Sequence, residues 1–383
     1  MIFVGLLFEK KEEKTLISNS RDGSVQNQVN NFQWNLINGF EANGISDLMI
    51  INALPVGCFP FNYKKIVLKN RLWGSGYVEI GSINIPIFKQ IVRSIKIKKL
   101  LRKHEDKNII IYSTYLPFLR AVYKIKDKNV ILVVPDLPEF YDLGSTSFFK
   151  KWLRKINNHL IYKYIKRIDK FVLLTDKMKY PLSVGNKPYV VVEGVFNPED
   201  FPSKYNPVIN QEKKVILYSG TLNVAYGIRR LVDSFLTLDN RDIELHIYGI
   251  GECADYISKC ATIDKRIVYH GFQPRETVLD AYQHASILVN PRANDADYVK
   301  YSFPSKMMEY LASGIPVLAY KLDGVPEEYD RYINYIEDDF AESFKTIFDN
   351  YNFYLLKAKA ARDFVYTKKN VYEQTKKIKE LLV

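Results

Sequence analysis

Twice along this chain, short β-branched runs alternate with longer stretches of helical periodicity. That alternation is the pattern of parallel-sheet α/β domains. In the first half the strand-like runs are 2–7, 47–52, 108–113, 130–134, 170–174 and 189–193. In the second they are 214–218, 243–249, 267–270, 286–290, 316–320 and, more weakly, 334–336. A polar, proline-bearing segment at 197–207 separates the two sets and reads as a linker. The expectation is two doubly wound domains, residues 1–200 and 201–383, facing each other, with ligands at the carboxyl ends of the strands. A length of 383 residues agrees, because single hydrophobic cores stop growing at roughly 250–300 residues. The last helical stretch, 352–382, is long enough to cross back and pack on the first domain.

Composition narrows the class. Three cysteines, Cys58, Cys253 and Cys260, fit no metal-ligand spacing and imply a reducing compartment without disulfides. Cys253 and Cys260 read as small buried hydrophobes. The apolar start, Met1 to Phe8, lacks a basic leader region and runs into Glu9, Lys10 and Lys11, so it reads as a first buried strand. No run approaches the 18 or so uncharged apolar residues of a membrane span. The expectation is a soluble or peripheral cytoplasmic protein. The net charge of +12 is unevenly placed: residues 1–195 hold 31 Lys and Arg against 16 Asp and Glu, and residues 196–383 hold 24 against 27. The first half therefore carries the field that attracts anionic partners.

The segment richest in chemistry runs from Asn290 to Val317. A strand ends at Asn290, and a polar loop leads to a helix with Ser302 as N-cap, Pro304 in its first turn and Gly314 at its end. A helix N-terminus at the end of a parallel strand is a phosphate site. Lys306 falls in the first turn, where a cation opposes the helix dipole unless an anion sits there. Glu309, three residues on, shares its face, where a carboxylate can accept two hydrogen bonds from a ribose diol. The competing reading is a surface ion pair between the two.

The segment Lys300-Tyr-Ser-Phe-Pro-Ser-Lys-Met-Met-Glu-Tyr-Leu-Ala-Ser-Gly314 resembles the donor-site motif of family 4 glycosyltransferases, in the branch found in polysaccharide assembly. That resemblance implies the GT-B fold, two Rossmann-like domains facing across a cleft, and transfer with retention of anomeric configuration. The family's Glu-x7-Glu motif has its second glutamate at Glu309, which implies ribose binding, and its first position at Tyr301. The stretch Tyr218-Ser-Gly-Thr-Leu-Asn-Val-Ala-Tyr-Gly227 is a second match. The family's Arg and Lys diphosphate clamps fall here at Thr221 and Tyr226, between Gly220 and Gly227. Arg292 and Lys306 are the expected substitutes, with Lys300 third. Gly249 belongs to a Gly-x-Gly after a strand, and Gly271 with Phe272 resembles the loop that reads the base. Ser302, Phe303, Pro304 and Ser305 complete the donor set. Glu327 and Glu328 lie near the donor or cap a helix. In the first half, 21–28 opens a helix as the acceptor-side loop does, and Asp136 is the candidate for orienting the acceptor hydroxyl, alongside a turn-capping reading. No metal and no cofactor is expected: Asp295-Ala-Asp297 lies in a polar loop and reads as a turn.

Two basic stretches bear on partners. Lys89 to Lys103 holds seven basic residues and no acid, and Phe148 to Phe171 holds eight against Asp169 alone. In the second, Phe149, Trp152, Leu153, Ile156, Leu160, Tyr164 and Ile168 form a helical stripe, read either as an anionic-membrane face or as a core-facing side. No nucleic-acid module is recognisable. The reaction expected is transfer of a hexosyl residue from a nucleotide sugar, a UDP-sugar first, to a polyprenyl-diphosphate-linked glycan on the inner face of the membrane. A sugar-nucleotide epimerase and a non-catalytic partner subunit of a polysaccharide-assembly complex are the rival readings.

Overall fold

The structure, a computed structural model, describes residues 1–383 apart from 22, 24, 74, 75, 141–147, 202–212, 338 and 383, and apart from the side chains at 73 and 148–150. Most of the linker, two positions of the 21–28 loop and the start of the basic stripe at Phe149 and Lys150 lie outside that description. The chain forms two compact units, Met1–Val195 with Val371–Val383, and Phe196–Asn370.

The first unit holds strands β1 (Ile2–Gly5), β2 (Met49–Asn52), β3 (Val67–Leu68), β4 (Arg71–Trp73), β5 (Tyr77–Glu79), β6 (Ser82–Ile83), β7 (Asn108–Tyr112), β8 (Asn129–Val134), β9 (Lys170–Leu173) and β10 (Tyr189–Val191). Eight form one sheet in the order β10-β9-β8-β7-β1-β2-β5-β4, parallel except for the β4–β5 edge pair. β3 and β6 make a separate antiparallel ribbon. The central strands are covered on both sides, so they read as continuous apolar runs: Val130 to Val134 are all buried. Each such side chain contributes roughly 1.5–3 kcal/mol on burial.

The second unit holds β11 (Lys214–Ser219), β12 (Ile243–Tyr248), β13 (Ile267–Gly271), β14 (Ile287–Asn290), β15 (Val317–Ala319) and β16 (Asn334–Tyr335). All pair in parallel, in the order β13-β12-β11-β14-β15-β16. Chain direction across the sheet reverses between β11 and β14. In open parallel sheets that reversal is where ligands bind, just beyond the carboxyl ends of the strands.

The helical stretch expected at 352–382 is two helices, Tyr351–Lys368 and Val371–Glu380, one in each unit. The break falls at Lys369 and Asn370, where Asn370 bridges Phe196 and the buried Lys369 Nζ pairs with Glu328 Oε1 at 2.6 Å. The second helix packs on helix Asn27–Ala42: Asn43 Nδ2 donates to Thr375 Oγ1 at 2.9 Å, and Ile378 shares a core with Phe40. Among the described residues no helix is long and apolar enough to cross a membrane.

Candidate functional site

Two loops meet at the carboxyl ends of β11 and β14. The first, Gly220 to Gly227, ends with Gly227 at φ 78°, where an added Cβ would overlap the Pro291 carbonyl oxygen of the second loop. Only glycine fits such a contact at positive φ. The loop after β12 is tied in as well. Gly220 N donates to Tyr248 O at 3.0 Å and Leu222 N to Ile250 O at 2.9 Å, while a Cβ on Gly249 (φ 140°) would overlap the Gly220 oxygen.

Helix Ser305–Ser313 follows the second loop and is fixed from below. Tyr310, fully buried, accepts from Ser219 N at 2.9 Å and donates to Ser219 O at 3.1 Å. Ser219 Oγ lies 2.5 Å from the Tyr282 hydroxyl. Burial pushes the Tyr310 phenol up to about 12, so it stays protonated and keeps donating. The helix starts at Ser305, with Pro304 rather than Ser302 at the N-cap position. The Ser302 hydroxyl is instead engaged by the Arg292 guanidinium, with Nη2 donating at 3.0 Å.

The Arg292 guanidinium lies over two aromatic rings. Its Cζ lies 4.6 Å from the ring centre of Tyr298 and 5.4 Å from that of Tyr226. A guanidinium over aromatic rings is a cation–π contact, which arginine makes more often than lysine. The buried Nε has no hydrogen-bond partner among the described residues. Tyr226 thus stands against Arg292, and the two loop residues act on one guanidinium.

One turn into the helix, Lys306 Nζ donates to Glu309 Oε2 at 2.7 Å. The other carboxylate oxygen, Oε1, accepts from Arg275 at 3.2 Å (Nη2) and 3.3 Å (Nε). Arg275 is itself held by the Asp200 carbonyl at 2.9 Å. Burial alone would raise the Glu309 carboxyl, but the charges and hydrogen bonds of Lys306 and Arg275 outweigh it and hold the group below its usual range. The surface ion pair expected between Lys306 and Glu309 therefore exists, as two sides of a three-residue network. Glu309 retains 19 % of its side-chain exposure. A lysine ammonium has three donors, and Glu309 takes one.

The other expected residues are spread along the same edge. Thr221 is exposed, and its carbonyl accepts from the Tyr218 hydroxyl at 2.9 Å. Gly271 has φ 64° and Phe272 is exposed after β13. Tyr301 lies beneath Lys300, whose Nζ is 5.2 Å from its ring centre. Phe303 is turned into the core against Tyr329, and Pro304 is buried with it. Ser305 is exposed at the start of the helix. His270 stacks on Tyr248 at 4.1 Å between ring centres, and its Nε2 lies 3.2 Å from His246 Nδ1. Burial and then His246 hold the His270 imidazole below its usual range, as suits a strand-end packing residue. Glu327 opens a short 3-10 helix, while Glu328 pairs with Lys369. Asp295 and Asp297 pair with Arg230 at 3.4 Å and Lys300 at 3.2 Å, as loop aspartates do. Among the described residues no three His, Cys, Asp or Glu side chains gather as metal ligands. Asp136 belongs to the first unit and is exposed in the turn after β8. Arg275 went unpredicted. It opens helix Arg275–Gln283, where a cation opposes the helix dipole, the same signal that singled out Lys306.

Residues 213–350 match the family described as Glycosyl transferases group 1. Sucrose-phosphate synthase from Thermosynechococcus elongatus superposes with a TM-score of 0.69 at 13 % identity, covering 100 % of this chain and 98 % of the other. The fold is GT-B. Anabaena Alr3699/HepE in complex with UDP gives 0.64 at 12 % identity, over 100 % and 99 %. The lipopolysaccharide outer core galactosyltransferase WaaB gives 0.61 at 14 %, over 99 % and 98 %. No curated protein matches the chain. The GT-B fold and the group 1 match together support a glycosyltransferase, and the matched segment contains Arg292, Lys306 and Glu309.

Proposed function

We propose that this chain transfers a hexosyl residue from a nucleotide sugar, a UDP-sugar first, to a lipid-linked glycan, with retention of configuration. The observation that carries the reading is the pairing of two features at the β11/β14 reversal. One is Arg292, its guanidinium over the rings of Tyr226 and Tyr298 and its buried Nε without a partner among the described residues; the other is the Lys306–Glu309 pair on the next helix with Arg275 bound to the same carboxylate. A nucleoside diphosphate needs both: cations for the phosphates and an ionised carboxylate for the ribose diol. The UDP complex of HepE and the glycan-assembly role in WaaB's name support the choice of base and pathway.

In this reading the leaving diphosphate gathers charge as the glycosidic bond breaks. Arg292, Lys306 and the N–H groups at the start of helix Ser305–Ser313 stabilise it where it develops. Fixed donors of this kind cost no reorganisation during the reaction. Glu309 holds the ribose, and Asp136 in the first unit is the candidate for orienting the acceptor hydroxyl. The acceptor proton leaves through a diphosphate oxygen as the bond from the anomeric carbon to that diphosphate breaks, so no dedicated protein base is required, and Arg292 and Lys306 supply the positive charge that the diphosphate needs. The basic first half suits work at the anionic inner face of a membrane.

A panel of UDP-, GDP- and dTDP-sugars tests this by thermal shift. A donor at 100 times its Kd should stabilise the protein by about 2.7 kcal/mol, which is roughly 5–10 °C for a unit of this size. No shift with any sugar nucleotide would move the reading to a partner subunit that does not bind donor. Replacing Arg275 with alanine removes the tether that aims Glu309, and the donor KM is expected to rise about tenfold with kcat changed less than threefold. An unchanged KM would show that Lys306 alone positions the carboxylate.

A further inference from the structure

The first unit displays an apolar surface that its own core does not use. Of the 22 large hydrophobic side chains exposed among the described residues, ten fall between Phe61 and Ile95. Their placement is systematic. In the β3–β6 ribbon Val67 stands directly opposite Ile83, and both are exposed, while their neighbours Leu68 and Ser82 face inward. Opposed residues of an antiparallel pair emerge on one face, so the outer face of this ribbon is apolar where a solvated sheet is polar. The chain then makes a γ-turn of the rare positive-φ kind at Ile87 (φ 66°, ψ −56°), closed by Phe88 N donating to Pro86 O at 2.7 Å. A β-branched residue is strained there, and the turn leaves 69 % of Ile87 in solvent. Helix Phe88–Lys103 continues the surface with Ile91 and Ile95, one turn apart and both exposed, while Ile97 and Leu101 are buried.

Charge says what covers it. From Phe59 to Lys103 there are eleven Lys and Arg and one acid, Glu79, which is buried. Lys64, Lys65, Lys69, Lys99, Arg102 and Lys103 are exposed around the apolar residues. A second exposed set, Trp152, Leu153 and Ile156, lies on helix Phe148–Ile165, whose later residues Ile161 and Ile165 enter the core. Among the described residues, the apolar stripe on that helix is therefore exposed over its first half and core-facing only towards its end. Both helices connect parallel strands, so both begin at the carboxyl edge of the sheet, and both exposed sets lie towards that edge.

We infer that this edge of the first unit inserts apolar side chains into an anionic lipid bilayer while the surrounding lysines and arginines meet the headgroups. Apolar side chains on a ribbon, a turn and two helix ends, ringed by one sign of charge, fit a soft charged interface. The inference deepens the proposed membrane-side activity, and donor binding in solution tests that activity separately.

Co-sedimentation with vesicles decides it. The full-length protein is expected to bind vesicles of phosphatidylglycerol and phosphatidylethanolamine at least tenfold more tightly than vesicles of phosphatidylcholine. The variant Ile87→Asn with Ile95→Glu should lose at least tenfold of that affinity while keeping its donor-induced thermal shift. Asparagine tolerates the positive φ at position 87, so loss of fold is not the expected outcome. Trp152→Glu with Ile156→Glu should weaken binding in the same assay. Equal vesicle binding by the first variant and the unmodified protein, equal binding to both lipid mixtures, or no vesicle binding at all overturns the inference.

Discussion

Changing Glu309 to alanine is expected to lower kcat/KM for the nucleotide sugar by roughly 10²–10⁴-fold. Two charge-assisted hydrogen bonds to a ribose diol are worth about 1.5–3 kcal/mol each, and each 1.36 kcal/mol is tenfold in rate. Stability should respond far less. The two cations left behind, Lys306 and Arg275, keep 26 % and 38 % of their side-chain exposure and can turn to water. A partly exposed pair contributes at most about 1 kcal/mol, a shift of about 2–4 °C in a unit of this size. A Glu309→Ala enzyme with kcat/KM within threefold of the unmodified protein would remove this carboxylate from the donor site.

Gly249→Ala should act in the opposite sense, on stability first. The added methyl group would overlap the Gly220 carbonyl oxygen, in a backbone conformation at φ 140° that L side chains avoid. Relief requires the ends of β11 and β12 to separate, breaking the Gly220–Tyr248 and Leu222–Ile250 hydrogen bonds. A loss of roughly 2–4 kcal/mol follows, or about 5–15 °C in Tm, together with loss of any donor-induced shift because the first loop no longer meets Pro291. A variant that melts within 2 °C of the unmodified protein would mean that the loops relax without cost.

The central strands were legible because each is an apolar run, or an alternation of buried apolar and half-buried polar residues, bounded by turn residues. Val130 to Val134 announces itself by composition, and Ile243 to Tyr248 by buried Ile243, Leu245 and Ile247 alternating with Glu244 and His246. β3 to β6 did not, since strands of two or three residues carry no measurable period, and what defines them is pairing across the ribbon. The donor segment was legible as a motif, but its local geometry was not. Ser302 followed by a helix reads as an N-cap, yet its hydroxyl answers to Arg292, ten residues away in sequence. Arg275 reaches Glu309 over 34 residues, beyond any helical spacing. Nothing in the sequence singles out Tyr310, whose hydroxyl holds both backbone groups of Ser219. Tertiary contacts between distant loops decide these roles, and periodicity does not record them.

The second unit is a continuous insert within a first unit made of two separate segments. Its ends meet: Phe196 bridges Asn370, and Phe196 N donates to Lys369 O at 2.9 Å. For the first unit, the insert is a loop that must be closed before helix Val371–Glu380 can dock on helix Asn27–Ala42. Closing a disordered loop of that length costs on the order of 4–5 kcal/mol in chain entropy, before any constant term. A folded insert removes most of that cost, because it delivers the two chain ends side by side. The half that carries the proposed donor site thus acts as a staple for the other half, and a ligand that stabilises the insert also favours the closed chain ends on which the first unit's last helix depends.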